Sequence, residues 1–351
     1  MKAIVMPSPN ELAVAEVPEP GLGDYQALAR ILTGTICNGT DSKVRAGEFP
    51  PNTRFPKILG HETIGRIVQV GAKVRNYRVG DLVLRAVAVP PGEMLGPYSS
   101  AFGGFVEYGV VNDGQAFCDD HLPAEHAKIH RWWVSQQVVP PDFDPRFAGT
   151  FITFKETLSF AWDLGIGPGK SVLVLGSGPV GFSFAKSAQI LGAGPVIVLG
   201  RRARRLAMAE KYGADAVIDT SIEDPPEAMR RLTDNHGADF VIEAIGSTEL
   251  LAQSVRLVAR GGTIGVYGVA ADQRVTIDYS RTNSPGQFNL RFLAPREHVV
   301  HDWALHLIRT GAVDLGQFIT HELPISEIER GFGLLGESST LKVVLQIDGQ
   351  W

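Results

Sequence analysis

Short runs of apolar residues alternate with turn residues along the first part of the chain, a pattern that predicts β-strands. Strand character is found at Met1–Met6, Leu12–Val17, Thr63–Val70 and Asp81–Val89, with prolines and glycines between the runs. Up to about residue 112, the pattern therefore predicts a compact, barrel-like β domain rather than a parallel sheet.

The pattern changes near residue 153, where helical spacing begins and continues to Leu164. Apolar runs that are typical of buried parallel strands then alternate with amphipathic, helix-like stretches. The predicted strands are Ser171–Leu175, Pro195–Leu199, Ala216–Ile218, Phe240–Ala244 and Thr263–Tyr267. The predicted helices include Phe182–Leu191 and Arg202–Tyr212, and Gly213 would end the second one. This alternation predicts an α/β fold with a doubly wound parallel sheet.

A glycine-rich motif lies between the first of these strands and the helix that follows it. Its residues are Gly176, Ser177, Gly178, Pro179, Val180 and Gly181, which have the G-x-G-x-x-G spacing. After a strand and before a helix, this spacing is the Rossmann dinucleotide-binding fingerprint. Its glycines allow a tight turn, close approach of a pyrophosphate and close helix–strand packing, while the helix N-terminus stabilises the anion. A glycine-rich turn without a ligand is the alternative.

The end of the second parallel strand indicates which dinucleotide binds. A site for NAD usually has an acidic residue there, which accepts a hydrogen bond from the ribose 2′-hydroxyl. This chain has Gly200 at that position, followed by Arg201 and Arg202. Guanidinium groups can form charge-assisted hydrogen bonds with a 2′-phosphate. The motif therefore predicts NADP in preference to NAD, unless the arginines only form a solvated basic face.

Residues suited to a catalytic metal lie in the β-rich part. Cys37 supplies a thiolate, and Gly60-His61-Glu62 supplies an imidazole and a carboxylate, all of which zinc accepts. Together with Thr63-Ile64-Gly65, Gly71 and Val74, this stretch resembles the signature of the zinc-containing medium-chain alcohol and polyol dehydrogenases. The segment from Gly103 to Val111 resembles the "GGFAEY" strand of the same family.

The resemblance implies two domains, one of them discontinuous. Residues 1–155 and 293–351 would form a mainly β, GroES-like catalytic domain, because in this family the C-terminal part rejoins the first domain. Residues 156–292 would form the Rossmann coenzyme domain. A homodimer or homotetramer is expected by analogy.

The resemblance also implies a ligand set. His61 is the strongest ligand candidate and Cys37 is the second, while Glu62 is either a direct ligand or a residue just behind the metal. Glu156, in Lys155-Glu156-Thr157-Leu158, resembles the glutamate of a Glu-Pro-Leu segment in polyol and glucose dehydrogenases; an ordinary exposed helix glutamate is the alternative. A site of this kind would leave one position open for water or substrate.

The proton path departs from the family pattern. The family has Cys-x-Ser/Thr-Asp, and its hydroxyl relays the proton of the alcohol. Here Gly39 occupies the hydroxyl position, and Thr40 follows one residue later. Thr40 is therefore the relay candidate, and Asp41 is expected to orient a ligand from behind.

Composition narrows the alternatives. The only cysteines are Cys37 and Cys118, and the stretch 86–102 has none, so a four-cysteine structural zinc and a disulfide framework are not expected. The net charge of −5 gives no basic surface for nucleic acid, and no apolar run is long enough for a membrane span. The N-terminus lacks a secretion signal, which favours a cytoplasmic location.

The segment from Gln115 to Phe147 fits the family pattern poorly. His126 and His130 are four residues apart, so on a helix they could chelate a metal. The favoured interpretation is a surface excursion that covers a cleft or supports an oligomer interface.

Together these features predict a zinc-dependent enzyme that transfers hydride between NADP(H) and a secondary alcohol or ketone. A bound zinc lowers the pKa of the alcohol, and the nicotinamide accepts the hydride. A carboxylate-bearing site without a second thiolate resembles the polyol and sugar branch of the family, which implies a polyol, sugar or cyclitol as substrate. Asn38, Asp41, Lys43 and Glu107 are candidates to bind its hydroxyl groups. The alternatives are a zinc-free enone or quinone reductase on the same fold and a non-catalytic nucleotide-binding protein.

Overall fold

The chain forms two compact units. The computed structural model describes residues 1–49, 54–128, 131–272, 274–277 and 287–351. The first unit contains Met1–Ile152 and Asp314–Trp351, and the second contains Thr153–Val313. The sequence placed the second boundary at residue 293. Residues 293–313 instead lie in the second unit, where Arg296 forms an ion pair with Asp163.

The first unit is mainly β. Its strands are β1 (Lys2–Met6), β2 (Ala13–Glu16), β3 (Gln26–Ile36), β4 (Lys57–Ile58), β5 (Glu62–Val70), β6 (Leu82–Leu84), β7 (Met94–Leu95), β8 (Tyr98–Ser100), β9 (Tyr108–Asn112), β10 (Val138–Val139), β17 (Ile319–Pro324) and β18 (Lys342–Gln346). Its helices are α1 (Thr40–Ala46), α2 (Gly114–Asp120) and α9 (Ile328–Leu334), and α3 (Ala148–Leu164) contains the boundary with the second unit.

Two sheets enclose the core of the first unit. One has the order β2-β1-β4-β8-β7; the other has the order β10-β6-β5-β3-β18-β17, with β9 paired to β3. Inward-facing residues such as Ile4, Ile31, Phe105 and Val343 are fully buried. Because β3 pairs with β5 on one side and β18 on the other, the C-terminal strand lies in the same sheet as the start of the chain.

The second unit is a doubly wound α/β sheet. Its strands are β11 (Val172–Leu175), β12 (Val196–Gly200), β13 (Ala216–Asp219), β14 (Ala238–Glu243), β15 (Val258–Val266) and β16 (Phe288–Phe292). Its helices are α4 (Pro179–Ile190), α5 (Ala203–Leu206), α6 (Pro225–Leu232), α7 (Thr248–Ser254) and α8 (His301–Arg309). The strands are parallel in the order β13-β12-β11-β14-β15-β16, the Rossmann order that the alternation predicted.

Two predicted elements are wrong in extent. The strand predicted over Asp81–Val89 ends at Leu84, because Arg85 adopts a left-handed backbone with φ of 58°. The helix predicted over Arg202–Tyr212 is divided into α5 and a 3₁₀ turn, and Tyr212 stacks on Phe182 with the ring centroids 4.7 Å apart.

Among the described residues, no helix is long and apolar enough to cross a membrane.

Candidate active site

Three side chains with metal-binding atoms converge in the first unit. One ligand atom from each of Cys37, His61 and Glu62 lies within 4.8 Å of the other two, and all three residues are buried. Cys37 follows β3 directly, whereas Glu62 begins β5; the antiparallel pairing of Thr35 with Glu62 places these strand ends side by side. Within the described part of the chain, no other such group of three occurs.

The turn before His61 depends on Gly60. Its φ is 100°, a left-handed conformation that favours glycine, and a Cβ there would lie 2.4 Å from the Phe105 ring. The Gly-His sequence therefore has a local physical reason. The chain must turn against a fully buried phenylalanine before His61 and Glu62 can face the thiol.

Asp41 orients the two strongest ligand candidates, as the sequence analysis expected. Its Oδ2 accepts a hydrogen bond from the Cys37 backbone nitrogen at 2.8 Å, and its Oδ1 lies 3.1 Å from His61 Nδ1. Because a carboxylate only accepts, the single proton of the neutral imidazole lies on Nδ1, and its Nε2 lone pair is left for a metal. Carboxylate–histidine pairs hold metal ligands in this way in many metal sites.

The electrostatics of His61 suit a site for a cation. Burial by itself lowers the pKa of His61, but the charge and hydrogen bond of Asp41, together with Cys37, raise it well above its usual value. A raised pKa favours the protonated imidazole, so a metal competes with a proton for His61, because only neutral imidazole ligates.

Glu62 is held by Lys342, a residue that no sequence motif indicated. Lys342 Nζ donates to both carboxylate oxygens of Glu62, at 2.8 and 2.7 Å, and both side chains are almost fully buried. Glu62 Oε1 is also 4.0 Å from His61 Nε2. Glu62 thus faces the ligand cluster on one side and an ammonium group on the other. The lysine comes from β18, and nothing in the local sequence marks it.

The other predicted site residues have different surroundings. Thr40 is the first residue of α1, next to Asp41, and is partly exposed. Glu156 lies in the second unit, where its Oε2 accepts a hydrogen bond from the Tyr267 hydroxyl at 2.8 Å. It is therefore not an isolated exposed helix glutamate. It is absent from the described cluster of three ligand candidates, so its role as a ligand stays a prediction.

The glycine-rich motif has the predicted structural context. β11 ends at Leu175, Gly176 makes the turn, and α4 begins at Pro179. A Cβ on Gly181 would lie 1.8 Å from the Gly176 carbonyl oxygen, so only glycine permits this close packing of helix and turn. The first turn of α4 contains no acidic residue that would repel an anion.

The end of β12 is crowded at Gly200. A Cβ at that position would lie 2.4 Å from Ser177 Oγ, so a side chain at residue 200 would displace the glycine-rich loop. Arg201 is exposed and Arg202 is partly exposed. Arg205 is buried, and one of its terminal nitrogens is 3.9 Å from the position of a Cβ on Gly178. Burial and the charge of Arg202 lower the pKa of Arg205.

The segment from Gln115 to Phe147 belongs to the first unit, and side-chain hydrogen bonds to backbone carbonyl groups hold it there. His126 Nε2 lies 3.0 Å from the Cys118 carbonyl oxygen and 3.1 Å from that of His121, so this nitrogen donates and does not ligate. His130, the other half of the predicted chelating pair, lies outside the described residues. Gln136 Nε2 donates to the Arg85 carbonyl oxygen at 3.0 Å, which ties the segment to the strand end beside the ligands.

Comparisons with known proteins agree with this architecture. The family described as alcohol dehydrogenase GroES-like domain matches residues 23–118, and the one described as zinc-binding dehydrogenase matches residues 179–296. L-threonine 3-dehydrogenase of Pyrococcus horikoshii is 30% identical over 99% of each chain. D-arabitol-phosphate dehydrogenase of Enterococcus avium is 25% identical over 99% of this chain and 97% of its own. The solved structure of an alcohol dehydrogenase from Thermus sp. ATN1 covers 99% of both chains, with 26% identity and a TM-score of 0.81.

A Rossmann sheet, a GroES-like β unit and a buried thiol–imidazole–carboxylate cluster define a class of dehydrogenases. This chain belongs to the zinc-containing medium-chain alcohol dehydrogenase family. It is therefore an oxidoreductase, and the family implies a nicotinamide cofactor, zinc and a small alcohol as substrate.

Proposed function

We propose that this chain is a zinc-dependent dehydrogenase that transfers hydride between NADP(H) and a secondary alcohol or ketone. The observation that carries the proposal is the buried convergence of Cys37, His61 and Glu62 within 4.8 Å. A thiolate, an imidazole and a carboxylate are a donor set that zinc accepts, and a site with three protein ligands keeps a position open. When bound, zinc would polarise the alcohol or carbonyl oxygen, and the nicotinamide would accept or donate the hydride.

The chain's own residues have separate tasks in this proposal. Asp41 fixes the His61 tautomer and the Cys37 backbone, and Lys342 neutralises Glu62 when no metal does so. Thr40 is our candidate to carry the alcohol proton toward solvent, because it is partly exposed and adjoins the turn that holds Cys37. Glu156 is retained as a further ligand on the resemblance to the Glu-Pro-Leu segment.

NADP is proposed over NAD from the end of β12. Gly200 offers no carboxylate to the ribose 2′-hydroxyl, and Arg201, Arg202 and Arg205 supply positive charge beside it. The buried guanidinium of Arg205 is close to the glycine-rich loop, where the charge of a phosphate would offset its desolvation. The ratio of kcat/KM for the two cofactors tests this assignment, and a preference for NAD would contradict it.

A dimer or tetramer is proposed from the surface of the second unit. Trp162 and Val299 are 56% and 58% exposed, and Phe292, 68% exposed, lies on β16 at the edge of the sheet. Exposed apolar patches and strand edges are ordinarily covered in stable proteins. Light scattering coupled to gel filtration measures the mass, and a monomer at micromolar concentration would contradict the proposal.

Metal analysis combined with an alcohol-oxidation assay separates the main proposal from its alternatives. Wild-type protein is expected to hold about one zinc per chain, and His61→Ala is expected to lose both the zinc and the activity. Enone reduction that survives a chelator would instead identify a zinc-free reductase. NADPH binding without turnover of any alcohol or ketone would identify a non-catalytic nucleotide-binding protein.

A further inference from the structure

One aromatic ring contacts the candidate metal ligand His61, and two further rings contact that first ring. The Phe102 ring centroid is 4.8 Å from that of His61, at an interplanar angle of 47°. Trp132 and Phe49 contact Phe102 from two other directions, with centroids 5.8 and 5.9 Å from it. These three rings form the aromatic wall, which consists of Phe49, Phe102 and Trp132. All three side chains are partly exposed rather than buried in the core. The ligand cluster therefore adjoins an aromatic surface that solvent partly reaches.

The backbone beneath the wall is held in an uncommon conformation. Phe102 has φ of 73°, in the left-handed region that bulky residues rarely adopt. A residue persists in this region only where the surrounding structure holds it there, and such residues cluster at functional sites. Because it adopts this conformation, Phe102 presents its ring to His61. A glycine would adopt the same backbone without strain, so the ring itself is the feature that needs an explanation.

Trp132 is tied to the ligand cluster through Arg85. The Arg85 guanidinium carbon is 5.3 Å from the centroid of the indole ring, and Trp132 Nε1 lies 3.4 Å from the Arg85 carbonyl oxygen. The same arginine donates from Nη1 to the His61 carbonyl oxygen at 3.0 Å. A single buried cation thus positions both the indole and the backbone of a metal ligand candidate. This contact connects the segment from Gln115 to Phe147 with the ligand cluster.

Polar groups for a sugar are fewer than the sequence indicated. Asp41 is occupied by Cys37 and His61, and Glu107 Oε2 accepts from the Lys2 backbone nitrogen at 2.7 Å. Two of the four candidates are thus hydrogen-bonded to other groups of the protein. Small-molecule sites of this type use a few polar groups for orientation and apolar or aromatic walls for most of the contact.

We propose that the aromatic wall selects a secondary alcohol whose carbinol carbon carries an aryl group or a comparably flat apolar group. The aromatic wall would contact the face or edge of that group, while the hydroxyl is directed to the Cys37–His61–Glu62 cluster. Aromatic rings favour offset or edge-to-face arrangements, and the tilted rings of the wall offer both. This inference rests on the proposed dehydrogenase function and narrows its substrate class from polyols and sugars to aryl-bearing alcohols.

The test compares 1-phenylethanol, sorbitol and 2-propanol as substrates of the wild type and two wall variants. Phe102→Gly removes a ring and keeps the backbone conformation, whereas Trp132→Leu keeps apolar bulk; circular dichroism checks that both fold. The expected result is that 1-phenylethanol has the highest kcat/KM with the wild type. Each variant should lower that value about 10-fold to 100-fold, with less than a three-fold change for 2-propanol, because only the aryl contact is lost. Val79→Ala, at an exposed apolar residue of the first unit, is the control and should change neither value.

A binding measurement supplies a readout that does not depend on turnover. Saturation-transfer NMR should show signal on the phenyl protons of 1-phenylethanol with the wild type and Val79→Ala, and a loss of that signal with Phe102→Gly. A preference of the wild type for sorbitol, or an equal loss for all three alcohols in the variants, overturns the inference and leaves the dehydrogenase function standing. No turnover of any alcohol, together with no bound zinc, overturns the proposed function itself.

Discussion

Lys342 donates to both carboxylate oxygens of Glu62, although the two residues are 280 positions apart in the chain. Both side chains are almost fully withdrawn from water. The pairing of β3 with β5 and with β18 brings them together. Burying two charges is costly, so each of these side chains depends on the other to compensate its charge.

Removing the lysine should destabilise the protein strongly. Lys342→Met leaves the Glu62 charge buried and uncompensated, so the free energy of unfolding of the chelator-treated protein should fall by about 3–5 kcal/mol. Urea unfolding measures it. Lys211→Met, at an exposed lysine, is the matched control. Adding Glu62→Gln to Lys342→Met should recover part of the loss, and a double variant that is no more stable than Lys342→Met would contradict this account.

The hydrogen bonds of Asp41 should set the affinity for metal. Asp41→Asn keeps the size of the side chain but leaves a single oxygen to serve both Cys37 and His61. Zinc affinity should fall by about 10-fold to 100-fold, measured by competition with a chromogenic chelator. Asp302→Asn, at an exposed position of the second unit, should leave the affinity unchanged. If Asp41→Asn binds zinc as tightly as the wild type does, Asp41 does not orient the metal ligands.

The crowding at Gly200 predicts a conditional change of cofactor. Gly200→Asp alone brings a Cβ within 2.4 Å of Ser177 Oγ and should lower the free energy of unfolding by about 1–3 kcal/mol. Adding Ser177→Gly removes the clash, and the new carboxylate can then accept from a 2′-hydroxyl and repel a 2′-phosphate. The double variant should prefer NAD, as judged by kcat/KM. If it still prefers NADP as strongly as the wild type does, residue 200 does not decide the cofactor.

Thr40 should influence the proton step and not the metal. Thr40→Val removes the hydroxyl at constant shape, and kcat should fall by about 100-fold or more if this group relays the alcohol proton. Zinc content should stay at the wild-type level, and Thr40→Ser should recover most of the rate. A Thr40→Val variant with wild-type kcat across pH would show that the proton leaves by another route.

Asp113 should make the first unit sensitive to acid. Burial raises its pKa, but hydrogen bonds from Asn76 and from the backbone nitrogens of Arg75, Asn76 and Ala116 outweigh burial and lower it. A carboxyl whose pKa is lower in the folded state stabilises above its unfolded pKa, near about 3.9, and loses that contribution as pH falls through the folded pKa.

Urea unfolding of the wild type and Asp113→Asn tests this dependence. The difference in the free energy of unfolding should be about 1–3 kcal/mol at pH 7, and it should shrink as pH falls below about 4. Because the metal ligands are the same in both proteins, their own titration cancels in the difference. A gap that stays constant down to pH 3 would show that the charge of Asp113 is not involved.

Much of this protein is determined by local sequence. The alternation of strands and helices after residue 153 predicted the parallel sheet. Buried strands are short apolar runs in the sequence, regardless of the strands with which they pair. The glycine-rich motif was placed correctly, since its turn is set by neighbouring residues. The ligand atoms of Cys37, His61 and Glu62 also lie close together, as the family signature implied.

Tertiary structure decided what depends on strand register and on burial. Three features have no local signal, because each needs segments distant in sequence to lie together. They are the Lys342–Glu62 pair, the burial of Arg205, and the contacts of the Phe102 ring with His61 and Trp132. Local patterns identify residues that can bind metal and cofactor. Only the folded packing shows which charge neutralises Glu62 and which surface adjoins the ligands.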